Sequence, residues 1–136
     1  MKKILLDTNI LIYYINKSGE FNKQATDILQ NKNYELYIST KNISEFFVVM
    51  TKYKVDWDNI LKYIIEITNI ATIIYPNSNS VAIFKELCKK YKPHRNQVFD
   101  IEIISIMLAN KLDIIATFNY KDFKNVSEIS ILKDCK

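Results

Sequence analysis

Acidic and amide side chains follow or open apolar segments at widely separated points of the chain. Asp7 ends the first apolar run, Glu45 lies in a segment with helical periodicity, and Asp100 opens a long apolar segment. Asn119 and Asp122 follow the last long apolar run. Acids that converge without matching cations repel one another, and Mg²⁺ or Mn²⁺ resolves that repulsion because these ions prefer oxygen ligands. An ion held in this way activates water and stabilises charge on a phosphate oxygen, which makes phosphodiester hydrolysis the natural chemistry of such a set.

Each acid also has a purely structural explanation. Asp7 could simply cap the helix that follows it, and position alone leaves both explanations open. Glu45 lies nearly opposite the apolar stripe of its helix and is roughly aligned with Lys41, so periodicity favours a solvated, weakly paired side chain. Asp100 would be stabilised by the helix dipole, but it lies on an apolar side of its helix, where an unpaired carboxylate is costly to desolvate. We interpret Glu102, on the other side of that helix, as structural.

The elements that must position these side chains follow from apolar periodicity and turn residues. We predict five strands, at 4–6, 36–38, 70–75, 114–118 and 129–132. We predict helices at 10–15, 21–30, 41–53, 56–68, from 78 or 80 to 91, and 99–111. Strands that alternate with helices favour a parallel sheet covered on both faces. In such a sheet the carboxyl ends of the strands lie on one rim, where the acids would meet.

Four of the predicted helices begin beside residues that commonly serve as N-caps. The expected caps are Thr8 or Asn9 for the first helix, Ser39 or Thr40 for the third, Asp56 for the fourth, and Ser78 or Ser80 for the fifth. The inward stripe of the fifth helix is expected to include Val81 and Leu87.

Composition restricts the class of protein. The chain has 136 residues, of which 49% are hydrophobic and 25% charged, with a net charge of +4. These values predict one globular domain, residues 1–136, that is neither disordered nor membrane-spanning. Asp7 interrupts the apolar start and no small-residue cleavage site follows, so we expect a mature chain in the cytoplasm. Cys88 and Cys135 are expected to be reduced thiols.

Two residue counts exclude particular kinds of site. His94 is the only histidine, which excludes a metal site built from several histidines. A chain with a single glycine cannot supply a glycine-rich phosphate loop.

Four segments together resemble the PIN domain family, and the resemblance covers nearly the whole chain. They are LLDTNI, ISEFF with Glu45, FDIEIISIMLAN with Asp100, and the closing IIATFNYKDF. The small size is similar to that of the VapC-type toxins of bacterial toxin-antitoxin pairs. The resemblance implies a three-layer α/β/α sandwich with a central, mostly parallel sheet of four or five strands. It also implies a Mg²⁺- or Mn²⁺-dependent endoribonuclease that leaves a 5′-phosphate and a 3′-hydroxyl.

The resemblance carries the metal-binding roles over by position. Asp7 and Asp100 would bind the metal directly, and Glu45 would complete the acidic site through a metal-bound water. Family members often have an aspartate where this chain has Asn119. Either the amide oxygen of Asn119 binds the metal-bound water or Asp122 substitutes for the missing acid, and a second metal site is therefore in doubt.

The resemblance also implies supporting residues and partners. Thr8, Asn9 and Thr117 would orient the ligand side chains. The loop after the fifth helix contains basic residues that are either a solvated charge cluster or contacts for the RNA backbone, namely Lys90, Lys92 and Arg95. Such toxins are kept inactive by a cognate antitoxin whose tail enters the acidic groove, and they commonly form homodimers.

Other functions remain as alternatives. Phosphoryl transfer to Asp7 in a haloacid dehalogenase-like phosphatase would require an aspartate two residues later, where this chain has Asn9. A response-regulator receiver would require a neighbouring pair of amino-terminal acids and a conspicuous lysine after a late strand. A PIN-like domain that is catalytically weak and only binds RNA or a protein partner is compatible with the neutral Asn119.

Overall fold

A five-stranded parallel sheet forms the centre of the protein in the computed structural model, which describes residues 1–135. The strands are β1 (Lys2–Leu6), β2 (Tyr34–Ser39), β3 (Ala71–Ile74), β4 (Ile114–Ala116) and β5 (Ser130–Ile131). Their order across the sheet is β3-β2-β1-β4-β5, and every neighbouring pair is parallel. The central strand β1 buries Ile4, Leu5 and Leu6 completely, as expected for a strand covered on both faces.

Helices cover both faces of the sheet and give the predicted α/β/α sandwich. They are α1 (Thr8–Ile15), α2 (Asn22–Gln30), α3 (Thr40–Lys52), α4 (Trp57–Ile70), α5 (Ser78–Tyr91), α6 (Gln97–Ala109) and α7 (Tyr120–Phe123). Helices α1 to α4 share one apolar core with Ile4 and Leu6, whereas α5 to α7 share a second core with Leu5. The alternation along β1 therefore divides its side chains between two cores. None of the helices within residues 1–135 has the length and apolar character needed to cross a membrane.

The order of the strands creates a switch point between β1 and β4. The chain first proceeds outward from β1 through β2 to β3, then returns over the opposite face and adds β4 and β5 on the other side of β1. Leu6 pairs with Ala116, and the backbone N–H of Asp7 donates to the carbonyl of Ala116 over 2.9 Å. The residues that follow β1 and β4 consequently lie side by side at the carboxyl edge, where open α/β sheets bind ligands.

Side chains at the helix starts explain where three of the helices begin. Ser39 accepts from the backbone of Asn42, and Asp56 accepts from that of Asn59, so the predicted caps Ser39 and Asp56 are confirmed. The prediction of Thr8 or Asn9 as the first cap was wrong, because Asp7 itself caps α1. Asp7 is the single residue between the end of β1 and the start of α1.

The start and the inward face of α5 also differ from the prediction. Asn77 is the N-cap, rather than Ser78 or Ser80, because its side chain accepts from the backbone of Ser80 while the Ser80 hydroxyl accepts from the Asn77 N–H. Leu87 is buried as predicted, but Val81 is 49% exposed. The buried side of α5 begins at Ser80, which is 2% exposed, and continues to Leu87, so Val81 lies beside it rather than on it.

Candidate metal-dependent active site

Asp7 is held at the end of β1 by three hydrogen bonds to its carboxylate. The backbone N–H of Thr8 donates to Oδ1 over 2.8 Å. The Asn9 amide and the Thr117 hydroxyl donate to Oδ2 over 3.0 and 2.8 Å. Asp7 is only 6% exposed, so these donors replace water. The cap and the site are therefore compatible explanations of Asp7, since one oxygen starts α1 and the other lies toward the end of β4.

The segment after β4 folds around the same hydrogen-bond network. Oγ1 of Thr117 accepts from the Asn9 side chain over 3.1 Å and from the backbone N–H of Asn119 over 3.0 Å. Oδ1 of Asn9 in turn accepts from the backbone N–H of Phe118 over 3.0 Å. Because both side chains have several partners, they have little freedom to rotate. The network therefore fixes the direction in which Asp7 points.

Glu45 is connected to Asp7 through Thr8. The Thr8 hydroxyl donates to Oε2 of Glu45 over 3.0 Å, and the Asn42 amide donates to that hydroxyl over 3.2 Å. Oδ1 of Asn42 accepts from both the N–H and the hydroxyl of Ser39. Asn42 is completely buried and was not among the residues predicted for the site. Its spacing of three residues after Ser39 is that of a capping box and was the available signal.

Periodicity predicted a solvated side chain for Glu45, and that prediction was wrong. Glu45 is half-buried, and burial raises its pKa, while the hydrogen bond from Thr8 and the charge of Lys41 oppose that effect. The expected salt bridge partner, Lys41, instead lies 3.8 Å from Oε1 of Glu102. Its ammonium group also lies 4.0 Å from the ring centre of Phe99. Helix α6 therefore faces this side of α3, and the surface that periodicity assigns to solvent lines a groove.

Four acids influence one another across this groove. Partial burial raises the pKa of Asp100 to about 7, and the negative charges of Asp122, Asp7 and Glu45 add to the effect. Burial also raises the pKa of Asp7 to about 6, with a further contribution from Glu45 and Asp122. The hydrogen bonds to Asp7 act in the opposite direction because they stabilise the ionised form. The ionised forms of these acids are therefore destabilised, and Asp7 and Asp100 keep their protons to a higher pH than an ordinary aspartate does.

The acids open onto solvent between α3 and α6. Glu45, Asp100 and Asp122 line a groove of about 550 Å³ together with Lys41 and Phe99. A second hollow of about 200 Å³ lies on the other side of Asp100 and Asp122 and reaches the loop after α5. Asp100 and Asp122 therefore line both cavities.

Comparison with known families identifies the architecture. The model of the PIN domain matches residues 4–129, which is most of the chain. The chain belongs to the PIN domain family. A search of curated proteins gave no match.

Solved structures with the same fold come from several bacteria. A chain of VapBC2 from Rickettsia felis, bound to a promoter DNA fragment, has a TM-score of 0.77 and 22% identity over 96% of this chain and 97% of that one. A chain of VapBC-1 from nontypeable Haemophilus influenzae has a TM-score of 0.74 and 21% identity over 98% and 99%. VapC20 of Mycobacterium tuberculosis, a toxin that cleaves the sarcin-ricin loop, has a TM-score of 0.67 and 11% identity over 82% and 86%.

The two candidates for the last acidic position of this PIN domain differ in their surroundings. Asn119 is exposed at the start of α7, and its backbone N–H donates to the hydroxyl of Thr117. Asp122 is also exposed, but it lines the groove with Asp100 and raises the pKa of both Asp7 and Asp100. The electrostatic coupling favours Asp122 as the residue that shares the site.

The three basic residues predicted to contact RNA have different surroundings in this PIN domain. Lys90 forms a 2.8 Å salt bridge with Glu128. Lys92 and Arg95 are exposed and have positive φ angles of 48° and 53°. They flank Pro93, which borders the smaller hollow. Lys92 and Arg95 remain candidates for RNA contact, whereas Lys90 would first have to leave its acidic partner.

The donor set of the PIN domain fits a hard divalent cation by its chemistry. The groups that converge are carboxylate oxygens with hydroxyl and amide groups behind them, and Mg²⁺ and Mn²⁺ prefer such oxygen ligands. Within residues 1–135, however, no three His, Cys, Asp or Glu side chains are grouped closely enough to hold an ion as they stand. The carboxylates repel one another instead, and binding of a cation would relieve that repulsion.

Proposed function

We propose that this PIN domain is a Mg²⁺- or Mn²⁺-dependent endoribonuclease, the toxin of a VapBC-type toxin-antitoxin pair acting in the cytoplasm. One domain, residues 1–136, would contain the whole active site. The observation that carries the proposal is geometric: Glu45, Asp100 and Asp122 line one groove, and Thr8 connects Glu45 to the buried Asp7. The pKa of Asp100, raised to about 7 by burial and by the charges of the other three acids, agrees with this arrangement. Acids that repel one another when ionised are suited to bind a cation. The match to the PIN domain family supports the use of that cation in a nuclease.

Each acid has a role that its contacts support. Asp7, fixed by Thr117, Asn9 and Thr8, and Asp100, at the groove, are the proposed direct metal ligands. Glu45, oriented by the Thr8 hydroxyl, is placed to accept a hydrogen bond from a water at the metal.

The protein's residues would orient the reactants, while a bound ion would supply Lewis-acid activation. When bound, Mg²⁺ or Mn²⁺ lowers the pKa of a water and stabilises negative charge on the phosphate. Glu45 or Asp122 would accept the proton of the attacking water, since both line the groove in which the phosphodiester would lie. Attack by water on the phosphorus would break the bond to the 3′-oxygen, which takes a proton from solvent, so the products are a 5′-phosphate and a 3′-hydroxyl.

The decisive experiment is cleavage of RNA by the pure protein with Mn²⁺, beside Asp7→Asn and Asp100→Asn variants. We expect wild-type cleavage that chelator abolishes, with a reduction of at least about 100-fold in each variant, because each would remove a metal-binding carboxylate. New ends that a ligase joins directly, and that a polynucleotide kinase labels only after phosphatase treatment, would identify the 5′-phosphate and the 3′-hydroxyl.

Two results separate the proposal from its competitors. Equal cleavage by wild type and both variants would identify a contaminating nuclease and remove the support. RNA binding without metal-dependent cleavage would instead favour the second candidate, a catalytically weak PIN domain, for which the neutral Asn119 is the specific observation.

The toxin role rests on the similarity to chains of VapBC structures. We propose a cognate antitoxin as protein partner and a homodimer as assembly. Expression of the chain alone should arrest bacterial growth, and co-expression with the product of an adjacent small DNA-binding gene should restore it. Growth unaffected by a soluble, RNA-cleaving protein would reject toxicity without rejecting the nuclease. Light scattering of the pure protein tests the homodimer.

A further inference from the structure

The groove contains an aromatic side chain and a cation that the proposed reaction does not use. Phe99 is 44% exposed although it directly precedes Asp100 in α6. Lys41 lies on α3, one turn before Glu45, and its side chain is only 26% exposed. Both residues line the groove that contains Glu45 and Asp100. They are therefore next to the proposed reaction centre but separate from the carboxylates.

Lys41 and Phe99 form a pair. The ammonium group of Lys41 lies 4.0 Å from the centre of the Phe99 ring, within the range of a cation-π interaction. The same group lies 3.8 Å from a carboxylate oxygen of Glu102, at the long end of the range for a salt bridge. A cation held this loosely by its acidic partner can reach an anion that enters the groove.

The two side chains match the two chemical features of an unpaired nucleotide. An exposed aromatic ring accepts the π-face of any base, and a lysine ammonium group contacts a phosphate as a point charge. Lys41 is the positively charged residue among those lining this groove within residues 1–135. A polyanion drawn over four acids requires such a compensating charge.

From this arrangement we infer that Phe99 and Lys41 form a nucleotide-binding subsite for single-stranded RNA. Lys41 turns from the Phe99 ring to the phosphate, and the adjoining base, next to the scissile phosphodiester, stacks on the face of Phe99 that Lys41 has left. Bases in a duplex are already stacked on one another and cannot reach the ring, so this contact requires an unpaired base. The inference rests on the proposed function and adds to it the two residues that hold a base and its phosphate beside the acids.

The stacking step is tested by RNA binding that does not require cleavage. Fluorescence anisotropy of a labelled single-stranded oligonucleotide, measured in an Asp7→Asn background, should show roughly 5- to 100-fold weaker affinity for Phe99→Ala. Phe99→Trp should retain the affinity because it keeps a stacking surface. An oligonucleotide with one abasic position, placed in turn along the strand, should lose the effect of Phe99→Ala at one position. Tyr75→Ala, at an exposed aromatic residue outside the groove, is the matched control.

The phosphate contact is tested by salt dependence. Lys41→Met should reduce the slope of log affinity against log salt by about 0.7, the value for one phosphate on a single strand. Lys62→Met, on the exposed face of α4, should leave the slope unchanged. Thermal melting of each variant confirms that the fold is retained.

The outcomes separate the subsite from the nuclease. With Asp7 intact, Phe99→Ala should raise KM for single-stranded RNA with kcat nearly unchanged. Cleavage or binding that is insensitive to Phe99→Ala and Lys41→Met would overturn the subsite and leave the nuclease in place. Phe99-dependent binding without cleavage by the wild-type protein would keep the subsite and reject the nuclease. Absence of both RNA binding and RNA cleavage would reject both.

Discussion

The hydroxyl of Thr117 donates a 2.8 Å hydrogen bond to Oδ2 of Asp7, although 110 positions separate the two residues in the sequence. Thr117 is completely buried and Asp7 nearly so. The bond connects the ends of β1 and β4 at the switch point of the sheet, and it lowers the pKa of Asp7 against the effect of burial. The carboxylate most deeply placed in the site thus depends on a residue from the other end of the chain.

Replacing this hydroxyl should cost stability. Thr117→Val removes the donor to Asp7 and the acceptor for Asn9 and Asn119 while nearly keeping the shape, so we expect a loss of about 1 to 3 kcal/mol in the free energy of unfolding. Urea denaturation at neutral pH measures it. Thr72→Val, at an exposed position of the edge strand β3, is the control. Equal stability of the two variants would contradict the role given to the bond.

Without metal, the protein should become less stable as the pH rises from about 4 to about 7. The pKa of Asp7 is raised from 3.8 to about 6, and that of Asp100 from 3.8 to about 7, so between these values the folded state binds more protons than the unfolded state. The stabilisation by these protons is complete below pH 4 and is lost as the pH passes the folded values.

The variant Asp100→Asn assigns the upper part of this profile. It should reduce the loss of stability near pH 7 by on the order of 1 kcal/mol. The effect is no larger because Asp100 is partly exposed and solvent screens its charge. Urea titrations at each pH in the presence of chelator measure both curves. A wild-type stability that rises steadily from pH 4 to 7 would show that Asp7 and Asp100 are not protonated in the folded state as their environment requires.

Divalent metal should reverse the destabilisation. With Mn²⁺ at about 100 times its dissociation constant, the wild-type protein should gain about 2.7 kcal/mol. Asp100→Asn should melt at a higher temperature than wild type in chelator, because it removes like-charge repulsion, and should gain nothing from Mn²⁺. Glu86→Gln, on the exposed side of α5, should respond like wild type. Stabilisation by Mn²⁺ that survives in Asp100→Asn would place the ion elsewhere.

The last acidic position can be assigned by comparing two variants. Asp122→Asn should lower metal-dependent RNA cleavage by about 10-fold or more and should lower the pKa of Asp100, because it removes the largest of the charges that raise it. Asn119→Ala should have a smaller effect on both. Initial cleavage rates and the pH dependence of stability provide the two readouts. The reverse order of effects would favour the amide of Asn119 as the group that holds the metal-bound water.

The connection between Glu45 and α1 provides a further test. Thr8→Val removes the donor to Glu45, so the pKa of Glu45 should rise further and the affinity for Mn²⁺ should fall by about 10- to 100-fold. Thr8→Ser keeps the hydroxyl and should retain most of the affinity. Calorimetric titration with Mn²⁺ measures both. Equal affinities for the two variants would show that the hydroxyl does not orient Glu45.

Local signals in the sequence were sufficient for the parallel sheet and for most helix positions. The run that ends at Asp7 is apolar throughout, which is typical of a strand buried on both faces, and Ser39 and Asp56 cap their helices by short-range hydrogen bonds. These features depend on neighbours within four residues, so they can be read without knowing the tertiary structure.

Features that depend on packing between distant helices could not be predicted. Periodicity places Glu45 opposite the core stripe of α3, but it cannot show that Lys41 on the same side meets Phe99 and Glu102 of α6. Val81 has the spacing of a core residue, yet the buried side of α5 begins at the neighbouring Ser80 and leaves Val81 exposed. In both cases the sequence pattern could not show which surface faces the side chain.

The arrangement of the strands also determines when the acidic centre can exist during synthesis. Asp7 emerges from the ribosome well before Thr117, which holds it and lies beyond β4. A nascent chain therefore carries Asp7 without this partner while the next 110 positions are translated. The acidic centre of this PIN domain can assemble only after β4 has left the exit tunnel.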